Sequence, residues 1–265
     1  MSIKMIVSDL DGTLFNSECE GYEVSRELIS QIEEFKRKGN IFTIATGRPI
    51  ETSIEVAKTV GINAPYITYN GAKIADIKGE KIYSKQFLLK EVVPFLREVD
   101  KFGASIIFYV NGKVYCFKHT ERITAYEKKE LIRCEEVDES ILNTDIRVNK
   151  VLVIGDIEQY RKVWNNLETY MKNKFRYVIS EDDYFEIVQS DISKGEALKI
   201  LKEHLNIENL EVIAVGNHMN DKELIEVADI GFAVNNAVDG LKEIADYVTK
   251  EEYENGVIEI LKKYN

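Results

Sequence analysis

Two aspartates near the start of the chain have the spacing of a metal or phosphate site. Asp9 and Asp11 follow a run of apolar residues and are followed at once by Gly12 and Thr13. Such a run is typical of a strand buried in a parallel sheet, and strand side chains two apart point the same way. The carboxylates of Asp9 and Asp11 would then repel each other unless a cation lies between them, and Mg²⁺ prefers oxygen ligands. The pattern therefore predicts a magnesium site, with a plain Asp-Gly turn as the alternative.

Residues of matching chemistry follow other predicted strands or start predicted helices: Thr46, Lys194, Asn217, Asn220 and Asp221. In an open parallel sheet, ligands bind beyond the carboxyl ends of the strands, so these side chains can converge on one crevice. If a helix opens at residue 217, Asn217 and Asp221 share one of its faces, because they are four apart. The two would then add oxygen ligands beside a metal at Asp9.

These residue types fit phosphoryl transfer, which needs a nucleophile, a proton donor and positive charge over the moving group. Asp9 can attack phosphorus to form an aspartyl-phosphate, and Asp11 can protonate the leaving alkoxide and then activate water. Mg²⁺ can clamp one phosphate oxygen. The other oxygens are expected on the Thr46 hydroxyl, the Lys194 ammonium and the backbone N–H groups of Leu10 and Gly47.

Each of these residues also has an ordinary structural explanation. Thr46 with Gly47 could be turn chemistry, and residues 216–221 could cap a helix. Lys194 could be a solvated lysine, although the positive end of a helix disfavours a cation unless an anion binds there. His218 is interpreted as a surface group or one behind the site. The joint arrangement of four sites, each at the right end of a strand or helix, favours the functional interpretation.

The spacing of apolar and turn residues predicts an α/β fold with a doubly wound, Rossmann-like parallel sheet. Strands and helices alternate at both ends of the chain, with strands predicted at 3–7, 41–45, 66–69, 211–215 and 230–234 and helices at 26–38, 49–59, 194–204, 219–228, 238–245 and 252–263. The predicted catalytic core is therefore residues 1–81 together with 189–265.

The middle of the chain has a different rhythm, in which hairpins are mixed with helices. Hairpins are predicted at 72–85 and 105–118, the second around Asn111 and Gly112. Further helices are predicted at 90–102, 119–135 and 158–172, and further strands at 150–154, 176–180 and 184–189. Residues 82–188 are thus predicted to form an inserted α+β cap domain, which could act as a lid.

Composition excludes several classes of protein. The 265 residues carry a net charge of -11, which argues against binding nucleic acid or an anionic membrane. No signal peptide is indicated, and no run approaches the roughly 18 apolar residues of a membrane span. Three widely spaced cysteines, Cys19, Cys116 and Cys134, form no zinc or disulfide pattern, which is consistent with the cytoplasm. The oligomeric state is not indicated.

Taken together, the motifs resemble the haloacid dehalogenase (HAD) superfamily, and most closely its Cof-type phosphatases. The motifs are DLDGTL (9–14), ATGRP (45–49), NGA (70–72), SKGEAL (193–198), GNHMND (216–221), GFAVNNA (231–237), ADYVT (245–249) and ENGV (254–257). The resemblance implies a HAD-type core with a large cap, and a Mg²⁺-dependent phosphatase acting on a small phosphorylated metabolite such as a sugar phosphate. It implies Asp9 as nucleophile, Asp11 as acid and base, and Thr46 and Lys194 as phosphate ligands.

One position departs from the family pattern. The resemblance implies that Mg²⁺ is held by Asp9, the Asp11 carbonyl and an aspartate in the last motif, where this chain has Asn217. Weaker metal binding is expected, for which Asp221 could compensate. Asn220 keeps the place at which the family holds phosphate or the lysine.

The substrate and the reaction leave alternatives. Arg48 is a candidate for gripping the substrate near the mouth of the site, or else a surface or salt-bridging arginine at a helix start. Asn217 also motivates a non-catalytic phosphate-binding or signalling protein on the same scaffold, and a phosphomutase is a third possibility. A receiver-type signalling domain would not need an insertion of about 100 residues, which is a domain in its own right.

Overall fold

The computed structural model describes residues 3–16 and 24–265, and they form two compact units. The first unit is Met1–Tyr83 with Ser193–Asn265, and the second is Ser84–Ile192. The sequence predicted domain boundaries after residues 81 and 188, whereas the two units divide after residues 83 and 192. Cys19 lies outside the described residues.

The elements of the described residues are numbered in chain order. The strands are β1 (Lys4–Ser8), β2 (Ile41–Ile44), β3 (Tyr66–Thr68), β4 (Lys73–Ala75), β5 (Lys81–Ser84), β6 (Phe87–Leu88), β7 (Ser105–Val110), β8 (Lys113–Cys116), β9 (Cys134–Glu136), β10 (Arg147–Val148), β11 (Val151–Ile154), β12 (Phe175–Glu181), β13 (Tyr184–Gln189), β14 (Glu211–Gly216), β15 (Ile230–Ala233) and β16 (Tyr247–Val248). The α-helices are α1 (Arg26–Arg37), α2 (Ile50–Val60), α3 (Val93–Asp100), α4 (Glu121–Glu130), α5 (Ile157–Asn165), α6 (Thr169–Lys174), α7 (Lys194–Leu205), α8 (Lys222–Val227), α9 (Asp239–Lys242) and α10 (Tyr253–Tyr264). Short 3₁₀ helices cover Tyr69–Gly71, Leu89–Val92, Glu139–Asn143 and Met219–Asp221.

The first unit contains a five-stranded sheet in the order β16-β15-β14-β1-β2, and every pairing in it is parallel. β1 is an interior strand between β14 and β2, which explains its apolar sequence, because its residues are buried between the layers. This confirms the predicted α/β fold with a parallel-sheet core. One predicted strand is placed differently: β3 belongs to a small sheet with β4 and β5, and a single bridge between Ala45 and Ile67 joins it to the end of β2.

The helix that carries Lys194 begins at a well-formed cap. The Ser193 hydroxyl accepts a hydrogen bond from the backbone N–H of Glu196 at 3.1 Å, which satisfies one unpaired donor of the first turn of α7. The same segment is fixed from the other side by Gly71, whose φ is +103°. An added Cβ there would lie 2.1 Å from the Ser193 carbonyl oxygen, so only glycine allows this approach.

The second unit is built on a six-stranded sheet in the order β12-β13-β11-β7-β8-β9. Its core packs the aromatic rings of Phe95, Trp164 and Phe185 against one another. The β7–β8 hairpin turns at Asn111 and Gly112 with positive φ at both, which confirms the predicted turn.

Two predicted helices of this unit were too long. In place of the helix predicted at 119–135, α4 ends at Glu130 and is followed by Leu131 in the left-handed conformation. The chain then forms β9, which is parallel to β8. The helix predicted at 158–172 is divided into α5 and α6. Among the described residues, no helix has both the length and the apolar content needed to cross a membrane.

Candidate active site

The acidic turn after β1 is wound tightly. The backbone N–H of Asp9 donates to the Val215 carbonyl at 2.9 Å, which continues the β1–β14 pairing by one residue. The Leu10 carbonyl then accepts hydrogen bonds from the N–H groups of the residues at 13, 14 and 15. Gly12 takes a φ of +78°, a conformation that favours glycine. This turn brings the hydroxyl of Thr13 to 3.3 Å from Asp9 Oδ2.

A buried ion cluster joins three elements at the carboxyl end of the sheet. Lys194 Nζ at the start of α7 lies 2.6 Å from Asp9 Oδ1 and 2.5 Å from Asp221 Oδ1. All three residues are at most 4% exposed. The single ammonium of Lys194 compensates two buried carboxylates, so removing Lys194 would leave both of them without a partner of opposite charge.

The cluster shifts the protonation of its members. Burial and then the nearby Asp221 carboxylate raise the pKa of Asp9 to about 7, although Lys194 opposes the shift. Burial lowers the pKa of Lys194, but the Asp221 and Asp9 carboxylates together raise it above its usual value. Lys194 therefore stays protonated, and Asp9 is the member whose ionisation is disfavoured in the protein alone.

Asp221 is held by hydrogen bonds within the protein, and its role as a metal ligand stays a prediction. Its Oδ1 accepts from Lys194, and its Oδ2 accepts from the backbone N–H groups of Asn217 and His218 at 2.9 and 3.2 Å. The expected helix face shared by Asn217 and Asp221 is also absent, because the helical turn begins only at Met219. Both oxygens of Asp221 are used within the protein, so its geometry favours holding Lys194 over compensating for the missing aspartate at position 217.

Asn217 is held against the acidic turn. Its Oδ1 lies 3.1 Å from Thr13 Oγ1, the same hydroxyl that approaches Asp9 Oδ2. Its amide packs so closely on Gly12 that an added Cβ there would lie 2.0 Å from Asn217 Nδ2. The amide oxygen of Asn217 and the second oxygen of Asp9 thus lie around one small hydroxyl group.

Within residues 3–16 and 24–265, no three His, Cys, Asp or Glu side chains are grouped as a ready metal site. The carboxylate of Asp11 is directed to Arg48, and that of Asp221 to Lys194. Asp9 Oδ2 and Asn217 Oδ1 share one uncharged partner, the Thr13 hydroxyl, whose single hydrogen can bond only one of them at a time. Both oxygens can therefore still take a cation, and oxygen is the donor type that Mg²⁺ selects. The donor set therefore fits Mg²⁺, with one negative charge fewer than an aspartate at position 217 would give.

Arg48 lies just before α2 as a buried, salt-bridging arginine, which is the structural alternative that the sequence left open. It is 5% exposed, so it is not a surface arginine. Its Nε lies 2.7 Å from Asp11 Oδ2, and its Nη2 lies 2.6 Å from Asp11 Oδ1. The neighbouring Thr46 is also buried, and its hydroxyl accepts a hydrogen bond from the Arg48 backbone N–H at 3.0 Å.

Two further residues, Thr13 and Asn70, lie at the site, although the sequence analysis assigned them no role there. Thr13 connects Asp9 with Asn217 as described above. Asn70 accepts a hydrogen bond from Asn220 Nδ2 at 3.2 Å through its own Oδ1, and a Cβ at Gly47 would lie 3.1 Å from that atom. Both residues stand inside quoted motifs, DLDGTL and NGA, so the signal was present in the sequence but carried no stated role.

Comparison with known proteins identifies the same family that the sequence motifs resemble. A family model described as haloacid dehalogenase-like hydrolase matches residues 6–261. The putative phosphatase YxeH of Bacillus subtilis (strain 168) is 28% identical over 262 residues, covering 96% of this chain and 95% of the relative. The 5-amino-6-(5-phospho-D-ribitylamino)uracil phosphatase YcsE of the same organism is 29% identical over 265 residues, covering 100% and 96%. A solved structure of a haloacid dehalogenase-like hydrolase from Bacteroides thetaiotaomicron has a TM-score of 0.83 at 28% identity, covering 99% of this chain and 100% of that one.

Proposed function

The chain belongs to the haloacid dehalogenase-like hydrolases, as its motifs predicted, and from this we propose that it is a Mg²⁺-dependent phosphatase of a small phosphorylated metabolite. The observation that carries the proposal is the buried Asp9–Lys194–Asp221 cluster at the carboxyl end of β1 and β14. A nucleophile and a fixed cation side by side are what phosphoryl transfer requires.

The proposed reaction has two halves, transfer of the phosphoryl group to Asp9 and hydrolysis of the resulting aspartyl-phosphate. In the first, a carboxylate oxygen of Asp9 attacks phosphorus, the P–O bond to the leaving group breaks, and Asp11 gives its proton to the leaving oxygen. In the second, Asp11 takes a proton from water, whose oxygen attacks phosphorus and releases phosphate and the Asp9 carboxylate. Lys194 and the Thr46 hydroxyl bind phosphate oxygens, with the N–H groups of Leu10 and Gly47 beside them.

Mg²⁺ would be held by Asp9 Oδ2, by Asn217 Oδ1 and, as the family resemblance implies, by the Asp11 carbonyl. When bound, it supplies positive charge that offsets the negative charge of the nucleophile and the phosphate. This charge would also favour the ionised form of Asp9, which burial alone disfavours.

The substrate class rests on the named relatives. YcsE is named as a phosphatase of a phosphorylated ribityl compound, and YxeH as a putative phosphatase. We therefore propose a small phosphorylated metabolite, a sugar phosphate or similar, with the Ser84–Ile192 unit as the cap that the family resemblance implies. A cytoplasmic location, and a lack of nucleic-acid and membrane partners, stay predictions from the sequence.

The test is phosphate release from p-nitrophenyl phosphate and a panel of phosphorylated metabolites, with Mg²⁺ and with chelator. Wild type should release phosphate only with Mg²⁺, and Asp9→Asn should not. Glu33→Gln makes the same carboxylate-to-amide change at an exposed position on α1 and should behave as wild type. Release that persists in Asp9→Asn would exclude Asp9 as the nucleophile.

The alternatives predict other outcomes of the same assay. Asn217 favours a protein that binds phosphate without turnover, because it removes one charge from the metal site. Binding of inorganic phosphate by calorimetry, without release from any substrate, would support that function. A phosphomutase would move the phosphoryl group between positions of a sugar phosphate instead of releasing it.

A further inference from the structure

Arg48 is held in place by hydrogen bonds of both its side chain and its backbone. Its guanidinium meets both carboxylate oxygens of Asp11 at 2.7 and 2.6 Å. Its backbone N–H donates to Thr46 Oγ1 at 3.0 Å, and its carbonyl accepts from the backbone N–H of Tyr69 at 2.9 Å. Its side chain is 4% exposed, while that of Asp11 is 22% exposed. The arginine is thus the buried member of the pair and Asp11 the accessible one.

The contact with Asp11 determines where that carboxylate can be. Two parallel N–H···O bonds from a planar guanidinium fix both the position and the plane of a carboxylate. A lysine could supply the charge but not the plane, because its ammonium is a point charge. Burial limits the motion of Arg48 itself, so it can serve as a rigid support for a residue that faces the solvent.

The contact with Thr46 determines how that hydroxyl is used. A hydroxyl carries one hydrogen to donate and two lone pairs that accept. Since Thr46 Oγ1 already accepts from the Arg48 N–H, its own hydrogen is left to be donated to another acceptor. A phosphate oxygen is such an acceptor, and Thr46 is expected to bind one.

We infer that Arg48 is a positioning residue that orients two functional groups at once, Asp11 through its side chain and Thr46 through its backbone. This inference rests on the proposed phosphatase function. It develops the salt-bridging alternative to the predicted substrate grip, because Nε and Nη2 of the guanidinium both bind Asp11. The side chain acts through Asp11, so its loss should impair the step in which Asp11 gives up its proton.

The test compares two substrates whose leaving groups differ in their need for a proton. The leaving group of p-nitrophenyl phosphate departs readily as the phenolate, whereas that of phenyl phosphate is more basic and depends more on a general acid. The ratio of kcat/KM for phenyl phosphate to kcat/KM for p-nitrophenyl phosphate therefore measures proton donation. We expect Arg48→Lys to lower this ratio roughly tenfold, within the range that general acid catalysis supplies.

A double variant separates action through Asp11 from any other effect. Asp11→Asn should lower the same ratio, and adding Arg48→Lys to Asp11→Asn should lower it no further, because residues that act as a unit are not additive. Arg37→Lys, an exposed position at the end of α1, is the matched control and should leave the ratio unchanged. Thermal melting of each variant checks that it is folded.

The outcomes distinguish the two proposals. If Arg48→Lys raises KM and lowers kcat/KM equally for both substrates, Arg48 grips the substrate and the positioning role is overturned. The positioning role is also overturned if Arg48→Lys lowers the kcat/KM ratio as much in the Asp11→Asn background as it does in wild type. If wild type releases phosphate from neither substrate, the proposed function fails and this inference fails with it.

Discussion

At the scale of single residues, the carboxylate of Asp9 lies in an environment that disfavours its ionised form. Burial and Asp221 raise the pKa of Asp9 from 3.8 to about 7. A carboxyl group whose folded-state pKa is raised destabilises the folded state as pH increases from the unfolded value, with the full cost above the folded value. This cost is present in the metal-free protein above pH 7.

Asp9→Asn should therefore stabilise the metal-free protein. The expected effect is an increase of a few degrees in melting temperature at pH 8 in the presence of a chelator. The increase should be smaller at pH 5, where the folded protein already carries a proton on Asp9. A lower melting temperature of Asp9→Asn at pH 8 would mean that the ion pair with Lys194 outweighs the cost of burial.

Asn217→Asp should strengthen metal binding. The substitution adds a carboxylate beside Asp9 Oδ2, and affinity for a hard cation increases with the number of charged ligands. We expect Mg²⁺ affinity to increase roughly tenfold by titration calorimetry, which needs no substrate. Asn217→Ser, which lacks the amide oxygen, should decrease it. Equal affinity in all three proteins would place the metal away from position 217.

At the scale of elements, the turn after β1 packs closely against the loop after β14 because residue 12 is a glycine and has no side chain. Gly12 has a φ of +78°, and a Cβ there would meet the Asn217 amide at 2.0 Å. Gly39 has a similar φ of +84° but no atom within 4 Å of an added Cβ. The two glycines therefore share the backbone strain of a substitution, and only Gly12 adds a contact with the site.

Gly39→Ala should lose about 1 kcal/mol of unfolding free energy from the left-handed backbone alone. Gly12→Ala should lose about 1–3 kcal/mol more, because the Asn217 side chain must move. Chemical denaturation measures both losses. Adding Asn217→Ala to Gly12→Ala should recover part of the difference, and no recovery would show that the close contact is not the cause.

The elements also show what sequence can and cannot predict. Apolar runs and turn residues located β1, β14 and the Asn111-Gly112 hairpin, because those signals are local. The helix predicted at 119–135 was too long because the end of α4 at Glu130 and the pairing of β9 with β8 depend on tertiary contacts. The motifs also predicted that Lys194 lies beside Asp9, and its Nζ is 2.6 Å from Asp9 Oδ1. The burial of Arg48 on Asp11, 37 positions away, could not be derived from spacing alone.

At the scale of the whole molecule, each unit has a core of its own. The hydrophobic cluster that contains Phe95, Trp164 and Phe185 lies entirely within the Ser84–Ile192 unit. Trp164 is the single tryptophan of the chain, so its fluorescence reports on that unit alone.

Residues 84–192 should therefore fold when produced alone. Their Trp164 emission should change cooperatively with denaturant, at a midpoint close to that of the full chain, because a complete core is the main source of stability. The full-length protein is the control. Emission typical of an exposed tryptophan before denaturant is added would show that this unit depends on the rest of the chain.

The proposal that Asp9 carries the phosphoryl group can be tested by trapping that group. Asp11→Asn should slow the second half of the reaction, so its phosphorylated form should accumulate when it is mixed with p-nitrophenyl phosphate and Mg²⁺. Acid quenching and borohydride reduction convert an aspartyl-phosphate to homoserine, which peptide mass spectrometry locates. We expect homoserine at position 9. Turnover by the enzyme with homoserine at another position, or at none, would contradict it.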